Sequence, residues 1–292
     1  MGTIHNSIGE TKSAKAKTTT ARVVSYIFLG LVTLISLFPI FMLIINFTRS
    51  HTQIIGGFSI VPSGEFLNNL GNAFTGNFAM AMRNSFIISA SCALLSTYFS
   101  AMTAYGIHVY DFKLKKFAFT FILIVMMIPS QISAVGFVKL VETLHLRSNF
   151  LPLIVPSIAA PAVFFYMKQY LESSFPLEVV EAARVDGSNE FRTFNTIALP
   201  MMKPAMAVQL IFAFTSAWNN YFIPSLIMIN DNSKTIPMIL ASLRAAVESG
   251  SGSGDWGIVY MTTFLAIIPV VIVYIIVSKN IVGGVALGAV KG

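Results

Sequence analysis

Charge is scarce in this chain. Asp, Glu, Lys and Arg make up 11% of its 292 residues, against about 25% in a soluble domain. That shortage excludes an ordinary water-soluble surface. Cysteine is scarcer still. Cys92 stands alone in an apolar run, which excludes an internal disulfide or a cluster of thiolate metal ligands and leaves a small buried hydrophobe. The histidines, His5, His51, His108 and His145, are scattered, and no pair has the helical spacing of zinc ligands. No glycine-rich phosphate loop ending in Lys-Ser or Lys-Thr occurs, so the chain has no such motif for ATP. Within the apolar runs there is no Asp or Glu, hence no paired carboxylates and no nucleophile–base constellation at depth. No catalytic residue and no metal ligand is expected.

What is abundant is oil. Hydrophobic residues reach 55% and the mean hydropathy is +0.75, which places the chain among integral membrane proteins. Six apolar runs are long enough to cross a bilayer, at about 22–46, 84–108, 117–138, 150–168, 205–229 and 257–278. All are expected to be helical, because lipid offers backbone polar groups no partner. Pro129, Pro152, Pro156 and Pro161 interrupt the third and fourth runs and predict kinks. Residues 1–21 are polar and read as a disordered tail; the first apolar run is too long for a signal peptide.

The net charge of +7 follows topology rather than nucleic acid, since no basic stripe is interleaved with aromatics. With the N-terminus inside, only Arg49, Arg83, Lys139, Arg147, Lys234 and Arg244 fall outside; the other Lys and Arg lie inside. The positive-inside rule therefore puts both termini, 1–21 and 280–292, in the cytoplasm. The permease-sized unit between them is 22–279. Its last outer loop ends in the glycine-serine run "ESGSGSGDW", which reads as flexible.

One inner segment, 172–203, breaks the pattern: "PLEVVEAARVDGSNEFRTFNTIALP". Pro176 suits a first helical turn, with Ser173 or Ser174 as a cap. Glu178 and Glu181 favour the positive end of that helix. Ala182 and Ala183 form helix with little bulk. Gly187 permits a left-handed stop, Ser188 or Asn189 can cap a second helix, Pro200 is expected to end it, and Pro204 to start the fifth span. The reading is helix, turn, helix on the cytoplasmic face. On its residues alone the segment also fits an amphipathic loop resting on its own membrane.

The spacing Glu181-Ala182-Ala183, Gly187, Ile197, Leu199-Pro200 resembles the EAA loop of the membrane subunits of bacterial ABC importers. With the six-span layout and the terminal "GAVKG", the chain looks most like the second permease of the maltose-type, carbohydrate-uptake branch. The resemblance implies an all-α fold of the type I importer permease class, six transmembrane helices with a cytoplasmic coupling helix, in the bacterial inner membrane. It implies a partner permease, two ATPase subunits that hold ATP and Mg, and an extracytoplasmic solute-binding protein, with no cofactor on this chain. It implies that Glu181, Ala182, Ala183, Asp186, Gly187, Ile197, Leu199 and Pro200 form the element that docks on the ATPase. ATP-driven closure would then switch the cavity between inward- and outward-facing. It also implies that the C-terminal tail reaches the ATPases and that the glycine-serine loop meets the binding protein.

Candidate path residues are neutral: Asn84 and Ser85, Gln131, and the cluster Trp218, Asn219, Asn220 and Tyr221. Amides and aromatic faces suit the hydroxyls and apolar faces of an oligosaccharide. They equally suit helix–helix bonding and interfacial anchoring. The competing function is an ion-coupled secondary transporter, which the lack of acidic residues within the spans disfavours for protons but not for sodium.

Overall fold

The computed structural model describes the backbone of residues 4–250 and 254–289, and the side chains of 22–129, 131–250 and 254–280. No strand occurs among the described residues. Four helices are long and apolar enough to cross a membrane: Arg22–Asn46, Phe78–Val109, Leu151–Ser174 and Trp256–Asn280. Two bent pairs complete the candidates, Lys115–Met126 with Gln131–Thr143, and Glu190–Met201 with Lys203–Ile227.

The third run, expected as one kinked span, is two limbs bent by 95°. Pro129 stands at the joint with φ −61° and ψ 128°, because proline drives its neighbourhood out of helix. The fourth begins as a helical turn at Leu151–Ile154, passes through a 3-10 turn at Val155–Ile158 and resumes at Pro161. The amino-terminal segment differs from the disordered tail expected of it. Its backbone is helical from Ile4 and continuous with the first span to Asn46, since extending a formed helix needs no new nucleus. Likewise the last helix runs to Ala289. The ends of both tails, 1–3 and 290–292, and residues 251–253 of the glycine-serine run lie outside the described residues.

Packing is uneven in an informative way. The second and fifth spans form the centre, with Phe78, Ala81, Ala93, Phe214 and Trp218 in one buried cluster with Ile236 and Ala266. The first span is bare instead: Tyr26, Leu34 and Ile35 are each about three-quarters exposed. A helix that apolar is stable only against lipid or another chain. Several span hydroxyls are satisfied within their own helix. Thr33, Thr103, Thr262 and Thr263 each donate to the carbonyl four residues back. On the second span Ser85, Ser89, Cys92, Ser96 and Ser100 fall on one face, and two of them reach the neighbouring segment: Cys92 Sγ donates to Leu153 O and Ser100 Oγ to Ala160 O. Small residues let these backbones approach.

The end of the bundle opposite the 172–203 segment, expected to face outward, is tied by polar groups. Arg49 is 7% exposed, and its guanidinium donates to Asn46 Oδ1 at 3.1 Å, to Gly57 O at 3.2 Å and to Gln53 O. Asn69 Nδ2 donates to the carbonyls of Phe47 and Arg49. The last span starts hard against this knot: a Cβ at Gly257 would lie 2.6 Å from Arg49 O and 2.7 Å from the Asn69 amide. Gly257→Ala must push the last span off the knot. It is expected to lower stability by about 2 kcal/mol through overpacking, read as a lower thermal midpoint in detergent; Gly71→Ala, with open space around it, serves as the control.

Candidate functional site: the inner loop and the break in the fifth span

The segment 172–203 folds as helix, turn and second helical limb. Glu178–Val185 is the first helix. Ser173 and Ser174 do not cap it: its N-cap position is Leu177, without a side-chain bond, and Ser173 Oγ bonds back to Tyr170 O. The helix stops as a complete Schellman turn. Gly187 adopts φ +78°, Gly187 N–H donates to Arg184 O at 3.0 Å, and Ser188 N–H donates to Ala183 O at 2.9 Å. Asn189, not Ser188, caps the return limb, its Oδ1 accepting from Arg192 N–H at 2.9 Å.

Pro200 does not end that limb. Phe194–Ala198 widens into a π-helical turn in which Leu199 N–H reaches Phe194 O. The wider turn keeps the carbonyl four residues back clear of the proline ring, so helix continues to Met201. The chain then turns by 80° into Lys203–Ile227, with Pro204 near the start of that helix. Ile197 and Leu199 are half-buried beside this turn, and Pro200 is exposed.

The two alanines face opposite ways. Ala183 is 5% exposed and, with Val180, turns inward. Val180 joins a buried cluster with Tyr105, Phe175 and Phe194. Ala182 faces out, on the strip formed by Glu178, Glu181 and Val185 at spacings of three and four. Val185 is 87% exposed, and Asp186 and Gly187 are exposed beside it. The outward strip is thus acidic, small and apolar, and Ala183 supplies close packing on the chain's own body rather than outward contact.

Residues that sequence reasoning missed hold this loop to the second span. Tyr98 Oη donates to Asn195 Oδ1 at 3.1 Å. The Tyr105 ring lies 5.4 Å from Phe194 and 6.3 Å from Phe175. Arg184 Nε donates to Glu190 Oε1 at 2.7 Å, and its guanidinium lies 5.7 Å from the Tyr110 ring centroid. Hydrogen bonds from Arg184, then Tyr110, hold the Glu190 carboxyl below the usual carboxylate range. The available signals were Tyr98 and Tyr105 seven apart on one helix, and opposite charges at Arg184 and Glu190 across a glycine turn.

The path candidates divide. Asn84 and Ser85 are buried and committed to backbone: Asn84 Nδ2 donates to Asn232 O at 2.8 Å and Lys234 O at 3.0 Å, and Ser85 Oγ accepts from Ile236 N–H at 2.8 Å. They fasten the outer loop to the second span. Trp218 is also internal, stacked on Phe214 at 5.6 Å with Nε1 donating to Ala266 O. Asn219, Asn220 and Tyr221 are different. They form the non-helical link between Lys203–Trp218 and Phe222–Ile227, and all three are exposed. The side-chain amides of Asn219 and Asn220 bond to no described residue. Asn219 borders a cavity of about 300 Å³, and Asn220 one of about 40 Å³ that also holds Ser85, Cys92 and the unpaired hydroxyl of Thr235. Gln131 is exposed at the start of the limb beyond the 95° bend.

Residues 96–282 match the family of binding-protein-dependent transport system inner membrane components. The chain belongs to this family. Curated relatives extend the match over nearly the whole permease. The arabinooligosaccharide transport permease AraQ of Halalkalibacterium halodurans is 32% identical, covering 88% of this chain and 92% of its own. AraQ of Bacillus subtilis is 29% identical over 93% and 96%, and the lactose transport permease LacG of Rhizobium radiobacter 28% over 92% and 96%. Among solved structures, a chain of a bacterial ABC transporter involved in import of the acidic polysaccharide alginate superposes with a TM-score of 0.76 at 21% identity, covering 90% of this chain and 97% of that one. That likeness establishes the importer permease fold.

Two outcomes follow for the permease. Gly187→Ala forces a side chain into the left-handed region and is expected to cost about 1 kcal/mol. Gly187→Pro removes the N–H that closes the turn and cannot reach that φ, so limited proteolysis should cut the loop far faster in the proline variant. Asn84→Leu removes the donor to two part-buried carbonyls and is expected to lower stability by about 1 kcal/mol, seen as a lower thermal midpoint.

Proposed function

We propose that this chain is one of two permease subunits of an ATP-driven importer that moves an oligosaccharide handed over by an extracytoplasmic binding protein. Two ATPase subunits carry ATP and Mg, and both termini of this chain face the cytoplasm. The observation that carries the reading is the inner loop itself. A family member of the binding-protein-dependent class presents there a helix closed by a left-handed Gly187, with Glu181 and Ala182 outward and Val180 and Ala183 anchored within.

Coupling follows from that geometry. The ATPase surface receives Glu178, Glu181, Ala182, Val185 and Asp186; the small Ala182 side chain lets the helix sit deep, and the exposed Val185 is covered on docking. Ala183, Gly187, Ile197, Leu199 and Pro200 shape the support behind it. When nucleotide closes the ATPases, the loop moves as a body and biases the permease between two states. The saccharide class is supported by relatives named for arabinooligosaccharides and lactose and by an alginate importer of the same fold. Asn219, Asn220 and Tyr221 offer amides and a ring to sugar hydroxyls and faces at a break in the fifth span. Asn84, Ser85 and Trp218 shape the path from behind.

The test uses the complete importer in proteoliposomes with its binding protein. Uptake is expected to stop on ATP depletion with ion gradients intact; uptake that survives depletion identifies a secondary transporter instead. Ala182→Trp is expected to leave membrane insertion intact and to reduce uptake at least about tenfold, with Ser173→Trp, on an exposed site away from the strip, as the control.

A further inference from the structure

We infer that Arg184, Glu190 and Tyr110 form a clasp that fixes the inner loop to the end of the second span, so that the loop's movement is delivered through that span. The inference rests on the coupling role proposed above.

Three segments meet at the clasp. Arg184 lies in the last turn of the outward helix, Glu190 in the first turn of the return limb, and Tyr110 just past the second span, which ends at Val109. The Arg184–Glu190 bond of 2.7 Å crosses the Gly187 turn. The guanidinium lies over the Tyr110 ring at 5.7 Å while its Nε bonds Glu190, two contacts that one planar guanidinium makes together. The Arg184 and Glu190 side chains are 40% and 42% exposed, so the pair adds little to stability. Its consequence is positional.

Glu190 is also anchored inward. Its Oε2 is enclosed without a hydrogen-bond partner of good geometry, and so is the Tyr105 hydroxyl. Both tyrosines lie close enough to the carboxylate to shift its ionisation. Farther up the same span, Tyr98 bonds Asn195 and Tyr105 packs on Phe194. The return limb is therefore held at two levels of the second span, by Tyr98 and Tyr105, and by Tyr110 just past its end. The route into the fifth span is softer, through the π turn at Phe194–Ala198 and an 80° bend at Met202. A push on the loop is transmitted by the stiff connection before the compliant one. Without the clasp, the outward helix would pivot about Gly187 and the stroke would be lost in the turn.

The clasp residues position the docking strip and touch neither ATP nor sugar, so the readout is the ratio of saccharide imported to ATP hydrolysed. In the complete importer, Glu190→Gln, Arg184→Ala and Tyr110→Ala are each expected to lower this ratio about fivefold, in the range by which residues remote from both sites modulate coupling. Arg184→Lys is expected to behave as Arg184→Ala, because one compact ammonium does not engage Glu190 and the Tyr110 ring together as the guanidinium does. The Arg184→Ala/Glu190→Ala double variant is expected to be no worse than either single change, since the pair acts as a unit. Tyr110→Phe keeps the ring under Arg184, is gentle to folding, and retains most of the ratio. A ratio unchanged in Glu190→Gln and Arg184→Lys overturns the clasp, as does a proportional fall of uptake and hydrolysis together. If Ala182→Trp lowers uptake in the same vesicles while the clasp variants leave the ratio intact, the clasp alone is wrong. If Ala182→Trp is also silent, the coupling role itself fails.

Discussion

A backbone N–H or C=O that leaves its helix inside a bilayer has no water to turn to, and each one stranded costs several kcal/mol. The long helices meet that constraint by themselves, but a transport path cannot be built from uninterrupted helices alone. Several interruptions in this permease carry a polar side chain assigned to them. Asn84 donates to the carbonyls of Asn232 and Lys234, and Ser85 accepts the amide of Ile236. Ser148 accepts the amides of Ile229 and Asn230. Asn69 and Arg49 collect the carbonyls where the first span gives way to the outer loop. At these places Asn, Ser and Arg side chains stand in for the missing helical partner and allow the chain to bend with those backbone groups paired.

That role explains which part of the site was legible from sequence. Long apolar runs, Pro129 at a break, and the helix–glycine–helix of the inner loop are local signals, written in hydropathy and in single residues with restricted backbone choices. They were readable because lipid removes every alternative to the helix and because φ above zero favours glycine. The polar residues at depth were not readable in the same way. Asn84 and Asn220 carry the same side chain in similar apolar surroundings. One spends its amide on carbonyls about 150 residues away in sequence, and the other leaves it free beside a break. Only the tertiary contact separates a fastener from a path residue. The same holds for Ala182 and Ala183, adjacent in the motif and opposite in direction: helical phase sets their faces, but the body they pack against decides which face is inside.

Tail helicity and the fate of Pro200 were misjudged for a related reason. Reading them as a coil and a stop treats each residue by its own preference. A helix already nucleated by a membrane span extends past its apolar run at no nucleation cost. A proline that would break an α-helix is accommodated once the preceding turn has widened to the π geometry. In both cases the neighbouring element, rather than the local residue, set the outcome.

The distribution of stiffness along the inner loop is then mechanically specific. An exposed helix joined by a glycine turn to a return limb would be a poor lever, because left-handed turns at glycine resist rotation weakly once their flanking bonds open. Here the turn is bridged by an ion pair, and the return limb is keyed to Tyr98 and Tyr105 of the central second span and to Tyr110 just past its end. The outward strip stays unsatisfied by its own chain, with an apolar Val185 and two carboxylates facing out. A surface left incomplete on one side and over-determined on the other suits the proposed coupling: the incomplete side would have differential affinity to give a partner, and the rigid side would convert that affinity into displacement rather than local give.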